Sequence, residues 1–139
     1  MSQLNYQSIQ IGDEIPAYTT PPISRTTLAL YAGASGDHNQ IHIDSDFAKK
    51  CGMPDVFAHG MLNMAYLGRL LTGWVTQRAI RQYGVRFAAI ARVGDRISCH
   101  GRVTEKYEKN GEKLVELAVT AVNQDGDVKL SGRAVIALP

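Results

Sequence analysis

The chain has 139 residues, 45% of them hydrophobic and 20% charged, with 15 Lys+Arg against 13 Asp+Glu. That balance suits one globular domain over residues 1–139 and argues against a disordered chain or two separate cores. Two cysteines, Cys51 and Cys99, without paired spacing suggest neither a disulfide framework nor a zinc ribbon, and a formal charge of +2 points to no nucleic-acid partner.

No basic stretch leads into an apolar run at the start, and the most apolar segment, 61–75, is broken by Asn63, Arg69 and two glycines. A signal peptide and a membrane span are therefore not expected, and a reduced cytoplasmic protein is the default. Charge is uneven: residues 1–70 hold 4 basic and 6 acidic side chains, residues 71–139 hold 11 and 7. The basic half is read either as solvated strand faces or as an anchor for an anionic ligand.

In chain order, Ser24 is placed to cap a short helix through Tyr31, and Ser45 or Asp46 to cap another from Phe47 to Lys50. Between them Gly33, Ser35 and Gly36 break the helix, and Asp37, His38, Asn39, His42 and Asp44 follow within eight residues. From Gly60 to Arg78 the apolar spacing is helical and covers most of the circumference, which predicts one long buried helix. Gly84 to Ala89 reads as a strand closed by a turn at Val93-Gly94-Asp95. Period-2 alternation then runs through Ile97, Cys99, Gly101 and Val103, through Val115 to Ala121, and from Val128 to Leu138. Turns at Asn110-Gly111 and Asp125-Gly126 join these strands into a meander. The fold class is α+β, with an antiparallel sheet able to receive the long helix across one face.

Two segments carry candidate chemistry. In the first, an imidazole that titrates near neutrality and a nearby carboxylate suit general acid/base work by Asp37 and His42. The same residues also fit ordinary Asx turn chemistry, and Asp37, His42 and Asp44 could form a metal set, although no second ligand cluster is spaced to complete it. His38 and His100 read as exposed. In the second segment, His59 and Gly60 stand at the mouth of the long helix, where unpaired N–H groups and a partial positive charge can hold an oxyanion. Alternatively, Gly60 only starts the helix and His59 only caps or packs it.

The run Tyr31 to Asp44 resembles the signature of the MaoC-like dehydratases, or (R)-specific enoyl-thioester hydratases, and Phe57 to Leu62 resembles their helix-start motif. Gly84 to Phe87 and Val93 to Asp95 are further parallels, in the family's order and over most of the chain. The sequence is also similar to subunits of bacterial 3-hydroxyacyl-carrier-protein dehydratases. The resemblance implies a hot-dog fold, an antiparallel sheet wrapped around one long helix. It assigns Asp37 and His42 as the catalytic pair and the Gly60 N–H as oxyanion donor, with Asn39 and His59 supporting them. Gln40 departs from the pattern, which has proline after the motif asparagine.

The activity implied is reversible hydration of a trans-2-enoyl thioester to a (3R)-3-hydroxyacyl thioester, with no metal or redox cofactor and with coenzyme A or phosphopantetheine carried by the substrate. Met61, Met64, Leu67 and neighbouring aromatics are candidates to contact the acyl chain or else plain core residues, and Arg81, Arg86, Arg92 and Arg96 are candidates for the phosphates of the carrier. Rival classes are a hot-dog thioesterase, for which the stretch from His59 to Ile80 holds no Asp or Glu, and a non-catalytic subunit of a heteromeric dehydratase. Proteins of this fold usually pair, so a homodimer or a related hot-dog partner is expected, with an acyl carrier protein as a further possible partner.

Overall fold

The computed structural model describes residues 4–139. Five strands form one antiparallel sheet: β1 (Tyr18–Thr19), β2 (Ile80–Phe87), β3 (Ser98–Lys109), β4 (Glu112–Val122) and β5 (Val128–Ala137), in the spatial order β1-β3-β4-β5-β2. Three α-helices accompany them: α1 (Arg25–Ser35), α2 (Ser45–Lys50) and α3 (Gly60–Thr72). The meander read from the alternation is β3-β4-β5, closed by left-handed residues at Asn110-Gly111 and Gly126. β1, too short to leave a periodic signal, pairs with the start of β3.

The core lies between α3 and the inner face of this sheet. Leu62, Leu67, Leu70 and Leu71 of the helix are buried, as are Cys99 and Val103 of β3, Val115, Leu117, Val119 and Ala121 of β4, and Leu130, Ala134 and Ile136 of β5. Val128, expected on that face, is exposed, because the β4–β5 register shifts between Ala121 and Val122. β2 returns to the far side of β5, where Gly132 sits opposite Val85. A Cβ on Gly132 would lie 2.0 Å from the carbonyl oxygen of Gly84, so only glycine permits the two strands to cross this closely.

The central helix is shorter than its apolar pattern predicts. It stops at Thr72 rather than Arg78, with the Gly73 N–H bonded to the carbonyls of Arg69 and Leu71. Trp74 and Val75 extend the apolar pattern as half-buried residues packed on the core, and a 3-10 turn at Gln77–Ala79 leads into β2. Helix α1 runs four residues further than expected. Gly33 and Ser35 are tolerated inside it, and Gly36 ends it in the left-handed conformation, φ 77°. Helix α2 is capped by Asp44, whose Oδ1 accepts the N–H groups of Asp46 and Phe47, in place of Ser45 or Asp46. Among the described residues no helix is long and apolar enough to cross a membrane.

Candidate active site

Where α1 ends at Gly36, a chain of short side chains shapes the loop that follows. Ser35 Oγ accepts the Asp37 N–H, Asp37 Oδ1 accepts the Asn39 N–H, and Asn39 Oδ1 accepts the Ile41 N–H. Successive turns of this kind reverse the backbone into the 3-10 turn Gln40–His42. Turn chemistry and acid/base placement, alternatives at the level of sequence, are here the same device: the backbone bonds aim Asp37 and His42 at one another. At Gln40 no proline ring is required, because the Asn39 cap and the bonds from Ile43 and Asp44 N–H to the Gln40 carbonyl already hold the turn.

His42 Nδ1 lies 2.7 Å from the carbonyl oxygen of Phe57. A carbonyl only accepts, so Nδ1 carries the proton and Nε2 of the neutral ring presents a lone pair. That Nε2 faces Asp37 Oδ2 at 4.0 Å, too far for a direct hydrogen bond and suited to a bridging water. The imidazole is mostly enclosed, with 11% of its side chain exposed, whereas the Asp37 carboxylate is half exposed. The pair therefore opens to solvent on the carboxylate side.

Phe57 is itself firmly placed. It bridges to Arg92, the Ala58 N–H bonds to the Ala91 carbonyl, and Asp55 just upstream accepts from Arg25, Ser45 and its own neighbour Val56. The Arg25 guanidinium holds the Asp55 carboxyl below the usual carboxylate range. On the other side, Asp95 accepts the Arg92 N–H and sits 4.0 Å from the buried Lys129 ammonium, which anchors the turn at Val93-Gly94-Asp95.

Behind His42 lies His59, almost fully buried. The two rings are stacked, with centroids 3.9 Å apart and planes at 26°, and Tyr31 meets His59 edge-on at 4.9 Å. His59 Nε2 donates to the backbone carbonyl of Asp37 at 3.1 Å, tying the loop after α1 to the start of α3. Burial, reinforced by the neighbouring His42, lowers the His59 pKa and keeps the ring neutral. The Tyr31 phenol is pushed up by burial and by the Asp37 carboxylate, so it stays protonated.

Ligand atoms of Asp37, His42 and His59 lie within 4.8 Å of one another, whereas Asp44 is occupied as a helix cap. Two imidazoles stacked nearly parallel do not direct their in-plane lone pairs at one ion about 2 Å from each, and His59 Nε2 is engaged with the Asp37 carbonyl. The set suits proton transfer better than metal coordination.

Gly60 is the first residue of α3 and opens on a cavity of about 340 Å³ lined mainly by Phe57, Phe87, Ile90, Leu130 and alanines. Phe87 roofs it: a Cβ on Gly60 would approach the phenyl ring to 3.0 Å. Met61 is exposed, Met64 is half-buried and gives its carbonyl to the Tyr83 hydroxyl at 2.7 Å, and Arg86 is exposed on β2. None of these three lines the cavity at Gly60. Arg81 is bound to Glu112 and to the Arg78 carbonyl, while Arg86, Arg92 and Arg96 carry no ion pair among the described residues. His38 and His100 are exposed and outside the cluster.

The residues missed by sequence reasoning are the Phe57 carbonyl, the Phe87 ring and Asn63. Asn63 alone had a signal, as a polar side chain on an otherwise apolar helix face.

Residues 7–124 match the family model described as MaoC like domain. A 3-hydroxyacyl-thioester dehydratase Z of Mycobacterium tuberculosis is 30% identical over 125 residues, covering 85% of this chain and 82% of that protein. The fatty acid synthase subunit beta of Saccharomyces cerevisiae is 27% identical over 136 residues; the match takes in 96% of this chain but only 6% of that much longer protein. Among solved structures, the unliganded R-hydratase PhaJ1 of Pseudomonas aeruginosa superposes with a TM-score of 0.83 at 29% identity, covering 97% of this chain and 85% of that one. The fold is thus the hot-dog fold that the resemblance implied.

Proposed function

Since the chain belongs to the MaoC-like domain family, we propose that it is an enoyl-thioester hydratase, a hydro-lyase that adds water reversibly across trans-2-enoyl thioesters to give (3R)-3-hydroxyacyl thioesters. The observation that carries this reading is the 4.0 Å gap between the His42 Nε2 lone pair and Asp37 Oδ2, the span of one bridging water. Asp37 orients the water through its carboxylate oxygen. As the water oxygen bonds to C3, its proton passes to His42 Nε2, and the C2–C3 π pair moves toward the thioester carbonyl. The oxygen of that carbonyl is met by the Gly60 N–H at the positive end of α3. His42 then returns the proton to C2, so the added atoms sum to one water and the ring is restored. The Phe57 carbonyl stabilises the imidazolium formed midway, because Nδ1–H keeps its acceptor throughout.

This chemistry calls for no metal or redox cofactor, and coenzyme A or phosphopantetheine arrives as part of the substrate. Of the four candidate arginines, Arg86, Arg92 and Arg96 carry no ion pair among the described residues and are assigned to its phosphates. Pairing with a second hot-dog subunit, identical or related, is supported by the open edge of β2 and by exposed Phe87 and Ile90, which line the cavity. Two free thiols and a coenzyme A or carrier-protein substrate support a cytoplasmic location.

The test is a hydration assay with crotonyl-CoA and longer trans-2-enoyl-CoAs, following loss of the enoyl absorbance. Hydration by the wild-type chain that disappears in the Asp37→Asn/His42→Ala double variant supports the mechanism, and hydration that survives it rules the mechanism out. Thioester hydrolysis without hydration would instead identify a thioesterase.

A further inference from the structure

Among the described residues, one polar side chain lines the cavity at Gly60, and it is the amide of Asn63. The residue is 2% exposed, and its Oδ1 is buried without a hydrogen-bond partner. A buried amide left unpaired is destabilising, and leucine would fill the same position without that cost. Asn63 stands three residues after Gly60 on α3 and so on the same helix face. Helical side chains lean back toward the N-terminus, which carries this amide over the first turn, beside the Gly60 N–H that has no partner within the helix. Gly60 itself has no side chain to intervene. With Oδ1 shut away from solvent, Nδ2 is the end of the amide left for an occupant of the cavity.

Building on the hydratase reading, we propose that the Asn63 side chain is a second hydrogen-bond donor to the thioester oxygen, alongside the Gly60 N–H. Negative charge appears on that oxygen when water bonds to C3 and the π pair shifts toward the carbonyl. It leaves when C2 takes its proton and the pair becomes the new C2–H bond. A donor placed there acts most strongly at the enolate-like stage, so it serves turnover more than substrate binding. A polar residue kept where an aliphatic one would be more stable, despite an Oδ1 that stays unpaired, is consistent with a use for its other end, Nδ2, toward the substrate.

Asn63→Leu and Asn63→Ala separate this role from a structural one. The expected result for Asn63→Leu is a kcat lower by about 100-fold, on the scale of one oxyanion donor. KM should stay within roughly threefold and the melting midpoint should be equal to or above wild type. In the Asp37→Asn background, bound crotonyl-CoA should also show a smaller downshift of its thioester carbonyl stretch when Asn63 is replaced by leucine or alanine. Wild-type hydration retained by both single variants overturns the proposal alone. A melting midpoint that drops together with kcat overturns it in favour of a purely structural amide. A wild-type chain that hydrates no enoyl thioester overturns the hydratase reading and this inference with it.

Discussion

His42 and Phe57 are joined by a 2.7 Å contact between a ring nitrogen and a backbone carbonyl, and this one bond sets which nitrogen of the imidazole is left unengaged. Because Phe57 is held in turn by its bridge to Arg92, the tautomer of His42 depends on a segment fifty residues later in the chain. Nε2 is left to share a water with Asp37.

Removing either end of that pair should stop turnover without unfolding the chain. Asp37→Asn keeps an oxygen able to accept the Asn39 N–H. Each of Asp37→Asn and His42→Ala should lower kcat for crotonyl-CoA hydration by about 10²–10⁴-fold. Since both groups act on one water, the double variant should be little worse than the weaker single one. Strictly multiplicative losses would show that they act independently.

Gly60→Ala retains the backbone N–H but places a methyl 3.0 Å from the Phe87 ring. The displaced ring or helix start should reduce kcat/KM by roughly 10- to 100-fold. Adding Phe87→Ala should recover most of that loss, a coupling read from the four proteins of a double-mutant cycle. Independent effects would mean the ring does not confine the site.

At the β2–β5 crossing, a side chain on Gly132 would meet the Gly84 carbonyl oxygen at 2.0 Å and Val85 Cα at 2.8 Å. Backbone atoms cannot swing aside as a flexible side chain can. Gly132→Ala should therefore cost about 3 kcal/mol or more in urea unfolding. An unchanged midpoint would contradict the pairing of Gly132 with Val85.

His59 is buried with its pKa below the usual histidine value of about 6.5. Between the folded and unfolded pKa values the unfolded chain binds more protons, so stability rises with pH there and falls on acidification below about 6.5. The melting midpoint should drop between pH 7 and pH 5, less steeply in His59→Gln than in wild type. Equal slopes would show that carboxylates alone account for the acid sensitivity.

Local rules carried much of the architecture. The alternation in β3, β4 and β5 matches the buried face except at Val128, where a register shift, a property of two strands together, turns the residue outward. Where the helices end was less readable. Apolar spacing continues through Trp74 and Val75 because both pack on the core, yet the chain has already left the helix at Gly73. Periodicity reports which side chains are buried and does not report the backbone conformation that buries them.

The candidate site divides along the same line. Asp37, Asn39 and His42 lie within six residues and are shaped by bonds between near neighbours, so a sequence pattern is enough to single them out. The stacking of His42 on His59, the Phe57 carbonyl that selects the tautomer and the Phe87 roof over Gly60 join residues from 15 to 27 positions apart, and the enclosure of Asn63 draws in Leu130, 67 positions on. Such contacts exist only once the sheet has curled around α3 and brought its start against the loop after α1. Residue types and short spacings thus determined the candidate pair Asp37 and His42, the strand pattern and the family resemblance. Tertiary structure decided which nitrogen of His42 is free and which polar group faces the cavity, because both depend on distances that no local pattern encodes.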